Sequence, residues 1–164
     1  MKIIKEILLE QLEKTKAYNS WKRKTVALRG ISNKPGEHNY AGAMLGRGLY
    51  TAALANKALA RQYGKVYFVV NARPKNPIVF ENLNRWEIWF YANLVIPYSN
   101  DPNYPDKREF FKNNTIEDAV QALGYDGIEI KGREYVNFTP NEDEIRYFDN
   151  EDDLIRYYNN AVIK

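Results

Sequence analysis

Apolar residues recur at helical spacing at the start of the chain, where Ile3, Ile4, Ile7, Leu8 and Leu12 stand with Lys5, Glu6, Glu10 and Glu13 between them. The spacing predicts an amphipathic helix over roughly the first 16 residues, with its apolar stripe in the core. The period then shortens. Thr25 to Ile31 is β-branched and apolar and reads as a buried strand carrying one charge, Arg29. Lys65 to Val70 is the clearest strand, apolar on both faces and therefore central. Pro74 and Pro77 end it before a short strand at Ile78-Val79-Phe80. Asn84 is placed to cap a helix carrying Trp86, Ile88, Trp89, Phe90, Leu94 and Val95. Its rings surround the helix, which favours core packing over an exposed aromatic surface for stacking or docking. Residues 96–107 hold three prolines and read as a long ordered loop or lid.

The last third alternates again. Thr115 opens a capping box for a short helix through Leu123, which Gly124 terminates. Ile128-Glu129-Ile130 and Arg133 to Phe138 alternate as strands; on the second, Glu134 shares a face with Val136 and Phe138, an unusual place for a carboxylate. Residues 144–148 predict another strand and 152–158 a final helix. Helices and strands mixed in this way, over 164 residues without a repeat, predict one α+β domain spanning 1–164.

Composition removes several chemistries. There is no cysteine, hence no disulfide framework or thiolate nucleophile, and the single histidine, His38, excludes a histidine metal cluster. His38 lies in a stretch rich in proline, glycine and asparagine and reads as an ordinary polar loop residue. Charges interrupt the first apolar positions, so no signal peptide or membrane span is expected, and a cytoplasmic setting fits. The net charge of +3 hides an asymmetry: residues 1–80 carry 15 Lys and Arg against 4 acids, residues 81–164 carry 9 against 17. Either the first half faces an anionic partner, or folding sets the two halves against each other.

Candidate chemistry gathers around Gly46 to Gly64, where two glycines, a short strand and an alanine-rich helix follow one another closely. Gly46 and Gly48 begin a G-x-G-x-x-G pattern that stops at Thr51. A buried Arg29 needs either a protein partner or an anionic ligand. Tyr50 reads as a sheet aromatic or a stacking platform, and Glu134 as a partner of Arg29 or Arg133 or as an acid held for chemistry.

Three elements in order, Leu28-Arg29-Gly30-Ile31-Ser32, Gly46-x-Gly48-x-Tyr50-Thr51-Ala52 and Arg133-Glu134-Tyr135-Val136, resemble the ADP-ribosyltransferase superfamily. The likeness is to small bacterial and phage-associated members and, in the second and third motifs, to poly(ADP-ribose) polymerases. It spans residues 27–138 and implies an α+β fold with a split, mostly antiparallel sheet and flanking helices. It also implies transfer of one ADP-ribose from NAD, as substrate and without a metal, to a macromolecular acceptor, protein or nucleic acid. Arg29 would contact the phosphates and nicotinamide ribose, and the Gly30 backbone would meet the carboxamide. Gly48 and Leu49 would line the cofactor, Tyr50 would stack on nicotinamide, Thr51 would correspond to the position near the Ser-Thr-Ser motif that steadies the glutamate, and Glu134 would be catalytic. Arginine-modifying members carry Glu or Gln two residues before the catalytic Glu, where this chain has Gly132. Lys22, Arg23, Lys24 and Lys34 are candidate contacts for a nucleic-acid acceptor. The alternative is a catalytically silent NAD- or nucleic-acid-binding module of the same fold.

Overall fold

A computed structural model describes residues 3–32 and 42–163. A long helix, α1 (Ile4–Thr25), feeds directly into β1 (Val26–Ile31). A small hairpin follows, β2 (Gly42–Ala43) and β3 (Gly46–Arg47), then β4 (Leu49–Ala52) and the short α2 (Lys57–Arg61). Next come β5 (Lys65–Val70), β6 (Pro77–Phe80) and α3 (Leu83–Phe90), which runs through a π-helical turn (Tyr91–Val95) into α4 (Ile96–Tyr98). The chain closes with α5 (Lys107–Asn113), α6 (Ile116–Ala122), β7 (Gly127–Ile130), β8 (Glu134–Asn137), β9 (Arg146–Phe148) and α7 (Glu151–Tyr157).

Seven strands form one mixed sheet in the order β6-β7-β8-β4-β1-β5-β9, parallel only between β6 and β7. The α+β class expected from the alternating patterns is the one observed. β5 lies one strand in from the edge, and β1 and β4 take the middle. The middle is also where the sheet is weakest. β1 keeps six register pairs with β5 but one with β4, Leu28 opposite Ala52.

Apolar cover differs between the two faces. α3, α5 and α6 pack Trp86, Phe90, Phe110, Ile116 and Val120 against Phe80, Ile128, Ile130 and Val136. Nearer the other edge, Tyr18 and Trp21 of α1 and Leu154 of α7 cover Val26 and Val70. The opposite face buries Ile31, Leu49, Tyr67 and Val69 beneath Ala72 and Ile145 from connecting segments. Trp86 and Phe90 are buried and Trp89 packs against the same cluster, which removes the exposed aromatic docking surface as a reading.

Three expectations are corrected. The stripe Ile4, Ile7, Leu8 and Leu12 is exposed and does not enter the core, because α1 meets the body only from Tyr18 onward. The cap of α3 is Asn82, whose side chain accepts from the Arg85 N–H, two residues before the expected Asn84. The proline-rich loop is shorter than expected, since Ile96–Tyr98 continues the preceding helix through Pro97 and α5 starts at Lys107 behind the Asp106 cap. Thr115 caps α6 as expected, and Gly124 follows it at φ +96°.

Candidate active site

The junction from β3 through α2 is shaped by glycines that no other residue could replace. A Cβ at Gly48 would stand 2.6 Å from the Asn137 carbonyl oxygen, so β4 enters the sheet pressed against β8. A Cβ at Gly30 would fall 1.7 Å from the Ala60 carbonyl oxygen, so α2 rests directly on β1. The alanine-rich helix expected after the short strand is this α2. It starts at Lys57, where Asn56 caps it by accepting from Leu59.

Register fixes which side chains share a face. Ala52 lies opposite both Leu28 of β1 and Glu134 of β8, and Tyr50 lies opposite Val136. Because side chains alternate, Tyr50 and Glu134 project from the same face of adjacent strands. Arg29, Thr51 and Tyr135 project from the other. Tyr50 and Glu134 are close enough that the carboxylate helps to raise the phenol pKa, although burial is the larger cause. The Tyr50 hydroxyl donates to the Gly46 carbonyl, which holds the ring in place.

Glu117 and Tyr63 stand at the same place, each adding to the rise in Tyr50. Glu117 also accepts the Arg47 N–H at 2.9 Å, tying α6 to β3 at Gly46, where φ is +95°. Neither residue was marked as a site residue by the sequence. Glu117 is the second residue of α6, inside the capping box from Thr115 to Asp118, a pattern that accounts for it fully as a helix start.

Glu134 is partly buried and accepts from Arg133 Nε at 3.2 Å, so one of its expected pairings is present. Arg29 is buried and donates to the Tyr147 hydroxyl at 2.8 Å, a protein partner that the sequence did not single out. Thr51 is 3% exposed, and its hydroxyl has no hydrogen-bond partner among the described residues. It stands on the opposite face from Glu134 and makes no bond to that carboxylate.

Beyond Leu28 and Ala52 the two middle strands part. Arg29 to Ile31 line one side of the seam and Leu49 to Thr51 the other. The residues fit a bound dinucleotide to this extent: an unsatisfied buried hydroxyl and a guanidinium on one face of the seam, an aromatic ring and a carboxylate on the other. His38 and Lys34 lie outside the described residues. Lys22, a candidate nucleic-acid contact, is bound at 2.6 Å to Glu151. A cavity of about 290 Å³ between Lys22, Lys57, Leu28 and Phe68 lies one strand over from the seam.

No protein family matches the chain, and neither a curated protein nor a solved structure is significantly similar to it. Among the described residues, no helix is long and apolar enough to cross a membrane.

Proposed function

We propose that the protein is an NAD-dependent mono-ADP-ribosyltransferase, moving ADP-ribose from NAD to a macromolecular acceptor and releasing nicotinamide. The observation that carries this reading is the placement of Tyr50 and Glu134 on one face of neighbouring strands, beside the seam between β1 and β4. The dinucleotide would lie along the seam, with nicotinamide on the Tyr50 side and the pyrophosphate toward Arg29. The Gly30, Gly48 and Leu49 backbones line its edges.

Breaking the bond from ribose to nicotinamide leaves positive charge on the sugar, and nicotinamide departs as a neutral ring. A carboxylate bonded to the ribose 2-hydroxyl stabilises that charge, and Glu134 is the acid in position to do so. Tyr50 holds the leaving ring by stacking. An acceptor nucleophile then bonds to the sugar carbon and gives up its proton. The Arg133 contact supports a second reading, an NAD-binding module without turnover.

One experiment separates the two. In purified protein given NAD and cell lysate, Glu134→Gln should lower nicotinamide release by about 100-fold or more, with NAD binding retained. Equal rates for variant and parent would overturn the transferase reading, and binding without release would support the silent module. With labelled NAD, loss of macromolecular label to protease or to nuclease identifies the acceptor class.

A further inference from the structure

Every residue from Ile3 to Ala17 is exposed, so the first four turns of α1 extend past the body of the protein. On one side of this projection Ile3, Ile4, Ile7, Leu8 and Leu12 are 58%, 77%, 42%, 59% and 50% exposed. A free helix of this length is marginal in water, and three of its residues are β-branched isoleucines, which lower helix propensity further. Something must cover the stripe for it to persist.

The direction of the stripe is informative. Ile3 lies eighteen residues before Trp21, about five whole turns, and Ile4 has the same relation to Lys22. The exposed stripe therefore continues the helix face through which Tyr18 and Trp21 pack on Tyr157 and Tyr158. Val162 and Ile163, about one turn past Tyr158 in the chain, are also exposed.

We propose that the stripe is a dimer interface, occupied by the same stripe of a second copy running antiparallel. Direction follows from the body. A parallel partner would drive two bodies into the space that each α1 already fills with its own from Tyr18 onward. An antiparallel partner instead carries its body to the far end of the projection, away from the first copy's own body. The five residues expose roughly 550 Å² per copy, so covering both stripes removes about 1,100 Å², just above the ~1,000 Å² of the smallest specific interfaces. Charge argues against a lipid surface. The first 17 residues carry Lys2, Lys5, Lys14 and Lys16 against Glu6, Glu10 and Glu13, nearly balanced, whereas helices that lie on membranes carry a strongly cationic polar face. The interface is independent of the proposed catalytic site.

Sedimentation velocity between about 1 and 100 µM should show a monomer–dimer equilibrium, with dissociation in the micromolar range expected for so small an interface. Ile4→Glu combined with Leu8→Glu should leave a monomer at all concentrations with unchanged tryptophan fluorescence, since both residues are exposed. Because the chain lacks cysteine, orientation can be read by oxidation. Leu8→Cys, near the two-fold, should cross-link with itself, and Ile4→Cys should cross-link with Leu12→Cys but not with itself. A parent protein that stays monomeric, a dimer untouched by the double variant, or self-linking Ile4→Cys would each overturn the proposal. A monomer that binds phosphatidylcholine–phosphatidylserine vesicles through the stripe would assign it to lipid.

Discussion

Thr51 carries a buried hydroxyl with no hydrogen-bond partner among the described residues, and leaving such a group unsatisfied costs roughly 1–3 kcal/mol. Valine has the same shape without the hydroxyl, so Thr51→Val should leave the melting temperature unchanged or raise it by a few degrees. If the hydroxyl instead meets a ligand, the same variant should bind NAD several-fold more weakly in calorimetry. A clear fall in melting temperature would show that the hydroxyl is satisfied within the protein. Glu134 is the reverse case. The Arg133 side chain is 39% exposed against 13% for Glu134, and a pair whose cation stands in water is worth about 1 kcal/mol. A ligand hydroxyl can therefore replace it at small cost. Sequence brought Tyr50 and Glu134 together only through the resemblance, and strand register sets them on one face of neighbouring strands. It could not show that Tyr147 meets Arg29 or that Glu117 reaches β3. Those contacts join residues 118 and 70 positions apart, and nothing local marks either partner.

At the level of elements, α3 illustrates what local pattern leaves open. Asn82 and Asn84 both precede an aromatic helix, and either side chain suits a cap. The choice falls on Asn82, which accepts from the Arg85 N–H at 2.9 Å. Asn82→Ala should cost about 1 kcal/mol in urea unfolding while Asn84→Ala costs only a few tenths; equal losses would contradict the assignment. Strands were read closely, with β1, β5, β6, β7 and β8 all where alternation and β-branching put them. α5 was hidden by the prolines before it, although Asp106 caps it as an aspartate should. α1 was legible as a helix and illegible as to its surroundings. Amphipathicity reports that a face seeks cover without saying whether the cover belongs to the same chain.

For the whole molecule, part of the charge asymmetry is met inside the fold. Lys22 pairs with Glu151, Lys65 with Asp149 and Lys75 with Glu144, each joining the basic first half to the acidic second. The Lys22 ammonium holds the Glu151 carboxyl below its usual range, so that pair stabilises the fold above pH ~4 and is lost as pH falls through the folded value. On the alkaline side Tyr18, Tyr50, Tyr135 and Tyr147 all keep their protons longer than free phenols, in each case first because of burial. Unfolded phenols ionise near pH 10, so above that the unfolded chain binds fewer protons and stability must fall as pH rises. Thermal melts from pH 8 to 11 should drop by several degrees beyond pH ~10, and a flat profile would contradict the burial of these rings. The seam at Leu28 and Ala52 has a consequence of another kind. The chain passes from one side of it to the other four times, from β1 to β4, β4 to β5, β5 to β6 and β8 to β9. Neither half-sheet is a continuous piece of chain, so no single cut can release one, and they cannot fold as separate units. Few backbone bonds join the two strands along the seam, and the four crossings of the chain tie its sides together covalently.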